Sequence, residues 1–403
     1  MFNKKILSKN FSMSSRKYNK NLKRTKKAFE ILKTKIKNSE LPVLQSYKKN
    51  NDFSILKNKI KKLRKYENII LIGMGGSILG AKSIYSFFKK KIKKKLFFFD
   101  NLDINQHLKF KKIKNIKKSC FVIISKSGNT LETITNFNAV SSKLDLKKNS
   151  IFITEIKDNV LINIANKIGA EIIGHKDFIG GRYSVFSEVG MLPAALMGLN
   201  IKKFANLNKL INNKNFTSSL IKNVTSIYTM LSQGIKNSVI LNYDSQLDDL
   251  SFWYQQLVGE SLGKKGKGIN PIVSFGPKDQ HTLLQLYLDG PKDKFFTFFM
   301  SLNKFDKKKI ISKHGIKSIN FTNNKTLSSI INAQCSATQN IFNTKKLPFR
   351  CFVFEKNNEE ELGRIFTFFV LETILLASLM NVNPFNQPAV EQIKLETKKI
   401  LSK

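Results

Sequence analysis

The chain has 403 residues and a mass of 46.1 kDa, with 41% hydrophobic and 24% charged side chains. That length suits about two domains of roughly 100–200 residues each, and the composition excludes a disordered tail protein, a collagen and a disulfide-stapled mini-domain. The formal net charge is +42, yet only six of the 70 basic residues are Arg (Arg16, Arg24, Arg64, Arg182, Arg350 and Arg364). Specific nucleic-acid readers lean on bidentate Arg, and no zinc-ligand spacing, RNP-like stretch or basic zipper is present. The Lys excess therefore reads as a composition bias, and no nucleic-acid partner is expected. Such a field would still attract anionic substrates such as sugar phosphates.

Residues 1–45 read as a basic helical arm. Met1 to Phe29 holds ten basic residues and no acid, but it lacks a long apolar run and is not Arg-rich, which disfavours a targeting peptide. From Glu67 onward, short apolar runs alternate with Gly- or Ser-rich turns and helical periodicity. Asn68–Ile72, Leu96–Phe99, Phe121–Ile124 and Ile151–Thr154 read as strands of a mainly parallel α/β sheet, in a first domain over 46–200. A polar, helical and motif-poor stretch, 201–236, reads as a connector. The alternation restarts over 237–403, with strands at Val239–Asn242, Phe295–Met300 and Cys351–Phe354. Helices are expected at Leu247–Leu262, Gln280–Leu288, 359–380 and 388–402. Leu362–Val382 is the most apolar stretch, but Arg364 and Glu372 interrupt it. A buried helix is expected there, with no membrane partner. Three scattered cysteines (Cys120, Cys335, Cys351) give neither a metal spacing nor a disulfide framework, which suits a reducing cytoplasm.

Two strand-end loops carry the first chemistry. Gly73-Met-Gly75-Gly76-Ser77 follows a strand and opens a helix, a natural anion site. It fails the dinucleotide fingerprint at Ile78, and it fails the Walker A spacing because Ala81 intervenes before Lys82. A smaller phosphate ester suits it. Ser125-Lys126-Ser127-Gly128-Asn129-Thr130 repeats the design with hydroxyls and a Lys, at the strand end where open α/β sheets bind ligands.

These loops, with Gly180-Gly-Arg182-Tyr-Ser184, Trp253 to Lys264, Asp279-Gln-His281 and Asn383 to Lys394, come in one order. Together they resemble the phosphoglucose isomerase family in its short bacterial type, over about residues 67–395. The resemblance implies two sugar-isomerase-type α/β/α sandwich domains with mainly parallel sheets, a helical N-terminal arm and a C-terminal helix. It also implies a cytoplasmic homodimer of glycolysis and gluconeogenesis that needs no cofactor and no metal. Gly76, Ser77, Ser125, Lys126, Ser127 and Thr130 would hold the phosphate. Glu260 would be the base, Arg182 would face the reacting carbons, and Gln256 and Gln387 would be further substrate contacts. His281, donated across the dimer interface, and Lys394 would serve ring opening. A second acceptance of mannose 6-phosphate, or a non-catalytic phosphosugar-binding protein of the same fold, are the alternatives.

The residues support these roles on their own chemistry. An aldose–ketose isomerase needs one carboxylate in line with two carbons, donors for the enediolate oxygens, and an acid–base pair if the substrate arrives as a ring. On a helix, Trp253, Gln256, Leu257 and Glu260 share a face, an odd place for a carboxylate in a core, and shelter against Trp253 would suit a general base. Two glycines before Arg182 suit a bend that aims a guanidinium inward. Asp279 could cap the helix after His281. Pro388 suits a helix start, with Gln387, Val390, Glu391 and Lys394 on one face. The Gly-Lys run 263–268 reads either as a lid or as a solvated basic loop.

Overall fold

The computed structural model describes residues 11, 15–49, 53–141, 144–302, 308–311 and 317–402, and His314 lies outside them. In chain order the elements are α1 (Arg16–Lys37), α2 (Ser54–Leu63), β1 (Asn68–Gly73), α3 (Leu79–Phe88), β2 (Lys95–Phe99), α4 (Ile104–Lys111), β3 (Ser119–Ile124), α5 (Leu131–Ser141), β4 (Ser150–Thr154), α6 (Val160–Ile168) and β5 (Glu171–Gly174). Then come α7 (Glu188–Leu196), α8 (Leu207–Ile211), α9 (Lys214–Leu231), β6 (Asn237–Asn242), α10 (Asp248–Leu262), β7 (Asn270–Phe275), α11 (Leu284–Asp289), β8 (Lys294–Ser301), α12 (Leu327–Thr344), β9 (Phe349–Phe354), α13 (Glu359–Met380) and α14 (Glu391–Leu401).

Among the described residues all the strands pair in parallel, in one sheet of order β2-β1-β3-β4-β5 and another of order β7-β6-β8-β9. β1 and β3 are buried along their whole length, as parallel strands covered on both faces must be. The first sheet reverses its winding between β1 and β3. Ile72 pairs with Ile123 and Gly73 with Ile124, so the two loops leave neighbouring strand ends. That is the switch point where open α/β sheets bind ligands.

Three elements escape the sequence pattern. β5 and β7 are edge strands, and β7 carries Pro271, which an edge tolerates because the missing N–H costs no central ladder bond. α12 is rich in polar residues and starts at a capping box between Thr326 and Ser329. The last helix begins at Glu391, after a 3-10 turn over Pro388–Val390.

α13 is long and apolar enough to cross a membrane, yet it is mostly buried inside the protein. Its Glu372 is fully buried against Arg350, whose guanidinium also donates to Thr297 Oγ1 (2.9 Å), Asn223 Oδ1 (3.2 Å) and the Tyr254 hydroxyl (3.2 Å). Breaking such a pair from one side costs about 3–5 kcal/mol. α1 is docked rather than loose: it buries Tyr18, Phe29, Leu32 and Ile36, and Asn21 donates to Thr229 Oγ1 of α9 at 3.0 Å. α10 lies in the main core. Trp253 meets Phe366 of α13 edge-on at 4.6 Å, and Tyr254 meets Phe369 at 4.6 Å. Cys120, Cys335 and Cys351 are free and buried.

Candidate active site

The first turn is built by close approach. A Cβ on Gly73 would stand 2.9 Å from Ile124 O, and Gly75 has φ +51°, a left-handed conformation that suits glycine. A Cβ on Gly76 would stand 2.1 Å from the Gly181 carbonyl carbon, so the Gly73–Ser77 turn lies directly against the Gly180–Ser184 turn. The Ser184 hydroxyl donates to Gly76 O at 3.3 Å and closes that contact. Gln256 of α10 comes to the same place, with Nε2 2.8 Å from where a Gly75 Cβ would be. Three segments far apart in the chain therefore meet at one turn, where Ser77 is half-buried.

The second loop carries its own order. Ser125 is buried and its Oγ lies 2.8 Å from Thr130 Oγ1, while the Gly128 N–H donates to it at 3.2 Å. The Asn129 N–H donates to Ser127 Oγ at 3.3 Å. Gly128 takes φ +69° and packs against Asn159, the N-cap of α6. Lys126 donates to Asp177 O and lies 3.7 Å from Glu155. The loop thus offers hydroxyls, backbone N–H groups and one ammonium above the end of β3, the donor set that a phosphate dianion requires.

The guanidinium beside these turns is held from every side. A guanidinium has five N–H donors, and Arg182, only 1% exposed, has an acceptor for each. Nε donates to Ser261 Oγ (2.8 Å). Nη1 donates to Glu260 Oε2 (3.1 Å) and Gln387 Oε1 (2.7 Å), and Nη2 to the carbonyls of Pro384 and Asn386. Glu260 is 32% exposed, and its other oxygen accepts from Gln256 Nε2 at 2.9 Å. The indole of Trp253 is turned into the core, so shelter for the carboxylate comes from Arg182 and Gln256 instead. Arg182, Gln256, Glu260 and Gln387 form one cluster against the first turn.

His281 and Lys394 stand elsewhere. His281 is exposed at the end of the turn Lys278–Gln280, beyond β7. Asp279 does not cap α11: its carboxylate takes the Phe275 N–H (2.7 Å) and the Thr282 hydroxyl (3.0 Å), and it pins this turn to the strand end. Lys394 is exposed on α14. Glu260 takes its side-chain hydrogen bonds from Arg182 and Gln256 rather than from these two. His107 bonds Asn136, and His175 is buried against Lys176 O, both structural placements.

Two residues next to the predicted ones complete the scaffold. Ser261 Oγ lies 2.8 Å from the Tyr183 hydroxyl, which also donates to Pro384 O at 3.0 Å. Burial pushes the Tyr183 phenol up, and Arg182 opposes that. Their only sequence signal is adjacency to Glu260 and Arg182. The Gly-Lys run is a tight closed loop, with paired backbone bonds between Lys264 and Lys267.

A family model described as phosphoglucose isomerase matches residues 57–403. The chain belongs to the phosphoglucose isomerase family. It is 34% identical over 349 residues to the glucose-6-phosphate isomerase of Methanocaldococcus jannaschii, covering 84% of this chain and 85% of that relative. It is 33% identical over 350 residues to the enzyme of that name from Campylobacter jejuni, covering 83% and 86%. Among solved structures it matches a hypothetical protein from Thermus thermophilus with a TM-score of 0.84 (24% identity, 98% and 99% coverage). It also matches a glucose-6-phosphate isomerase from Chlamydia trachomatis with a TM-score of 0.71 (19% identity, 87% and 72% coverage). At those identities the structures show the shared fold, and the family assignment rests on the sequence matches.

Proposed function

We propose that this family member is a glucose-6-phosphate isomerase that interconverts glucose 6-phosphate and fructose 6-phosphate in the cytoplasm, as a homodimer. The phosphate lies between the first turn and the Ser125–Thr130 loop, with Gly76, Ser77, Ser125, Lys126, Ser127 and Thr130 around it. The 46–200 domain thereby anchors the substrate, and the 237–403 domain supplies the base. Glu260 takes the proton from one carbon and returns it to its neighbour through a cis-enediol(ate). Each of its oxygens is engaged by one donor and keeps a second lone-pair position for the proton. Arg182 presents a positive charge already oriented before substrate arrives, so stabilising the developing enediolate costs little reorganisation. Gln256 and Gln387 contact the sugar hydroxyls. His281 from the second subunit and Lys394 open the ring.

The observation that carries this reading is that Arg182 and Gln256, the two residues that hold the Glu260 carboxylate, pack against the glycine turn of the anion site. The test is a coupled turnover assay in EDTA with Glu260→Gln. Loss of a general base costs on the order of 10²–10⁴ in kcat, and a folded variant as active as the parent would overturn the assignment.

A further inference from the structure

We propose that Lys264 is a positioning residue for the proton-transfer base, its ammonium group holding the last turn of α10 so that the Glu260 carboxylate stays against Arg182. This rests on the reading of Glu260 as the base. The Lys264 Nζ donates to the carbonyl oxygens of Glu260 itself (2.6 Å) and Ser261 (2.8 Å). Both belong to the carbonyls that a helix end leaves without intrahelical partners, where a cation also offsets the negative end of the dipole. The two residues so gripped are the base and the hydroxyl that fixes Arg182 Nε. One ammonium group therefore sets the height and rotation of both.

The loop that delivers Lys264 is built to hold it. Lys264 and Lys267 exchange backbone bonds (3.0 and 2.9 Å), Gly263 N–H closes on Gly259 O at 3.0 Å, and Lys267 Nζ donates to Met380 O at 2.9 Å. Lys265 and Gly266 take φ +53° and +67° to make the turn. The basic run is thus a two-helix cap: Lys264 on the end of α10 and Lys267 on the end of α13.

Among the described residues, the charged and titratable groups around Lys264 are Glu260 at the end of α10, Lys265 and Lys267 on its own loop, and Arg182 and Tyr183 from the turn packed beside it. Residues 380–387 and β7 carry none. Burial and then Arg182 lower the ammonium group to about 8, and Glu260 opposes them. Lys264 therefore loses its charge just above neutrality, and with it the charge-assisted grip on the helix end.

The experiment uses the intact dimeric protein with lysine labelled by 13C at Cε, read by NMR beside the pH profile of kcat. One lysine resonance titrates near 8 while the others titrate near 10. It vanishes in Lys264→Arg and moves to lower pH in Glu260→Gln, where the opposing negative charge is gone. In Lys264→Met, kcat falls about tenfold at pH 7.5 with KM for fructose 6-phosphate within about twofold, and the loss of activity near pH 8 disappears. Lys264→Arg recovers most of kcat and stays active through pH 9, because a guanidinium does not deprotonate there. Absence of that resonance, its failure to move in Glu260→Gln, or a folded Lys264→Met with parental kcat and pH profile would overturn the proposal. A parent without turnover but with the shifted, Glu260-sensitive resonance would instead sink the isomerase reading and leave the Lys264–Glu260 coupling standing.

Discussion

Glu260 and Arg182 are finished inside a single chain, whereas His281 and Lys394 are left on its surface. The first pair has its partners within 3.1 Å, drawn from three separate segments: the Gly180–Ser184 turn, α10 and residues 384–387. The second pair sits on a rim turn and on a helix whose Ile393, Leu395 and Ile400 are 62–71% exposed. The difference separates two demands of one reaction. Stabilising charge on an enediolate works best when the charge is prefixed and shielded. A ring-opening acid–base pair must reach the substrate from the other side, and in this reading a second copy supplies its His281.

The largest effect that sharpens the comparison comes from Arg182. Arg182→Met removes the fixed charge and the side-chain donor of the Asn386 carbonyl, and leaves the Pro384 carbonyl to the Tyr183 hydroxyl. Loss of one prefixed electrostatic group costs about 10²–10³ in kcat, with a lower urea midpoint besides. Arg182→Lys restores the charge but not the five-point fork, so it recovers only part of kcat. A folded Arg182→Met with parental turnover would show that the buried guanidinium is structural alone.

A smaller effect decides where His281 acts. Glu260→Gln and His281→Ala chains are each expected to be inactive as pure dimers. If His281 crosses the interface, a mixed dimer has one intact site and one doubly altered site. Random equal mixing then recovers about a quarter of parental activity, by the symmetry of a two-fold interface. If His281 serves its own chain, no mixed dimer recovers anything.

The same contrast marks what was legible in the sequence. β1 and β3 were readable because strands buried on both faces form unbroken apolar runs, and each ends in a loop whose glycines and hydroxyls have a chemical reason. β5 was not, since it is only four residues long, β7 was not, since Pro271 interrupts its strand pattern, and α12 was not, because its exposed face hides the helical period. The order of the motifs pointed to Glu260 and Arg182, and the structure supplies their partners. Ser261 and Tyr183 could not be read, because a hydroxyl that steadies an arginine leaves no spacing behind. The Gly-Lys run looked like a lid or a solvated loop, and only the folded chain shows two ammonium groups turned onto helix ends.

The smallest effect separates failure of the site from failure of the fold as pH rises. Burial pushes Cys120 and Cys335 up to about 12, and Cys351 higher still. Each thiol stays protonated in the fold but ionises near 8.5 in the unfolded chain. Their contribution to stability is whole below that value and is lost as pH climbs toward 12, by at most about 1.4 kcal/mol per pH unit for each thiol. Lys264 has the opposite sign. Its folded value is depressed, so its contribution improves from pH 8 toward 10. Activity should therefore begin to fall near pH 8 while the urea midpoint holds until about pH 9. Cys335→Ala should make the later decline shallower without moving the activity limb. If the midpoint and kcat instead fall together from pH 8, the loss of turnover is unfolding, and the site and the core are one titrating unit rather than two.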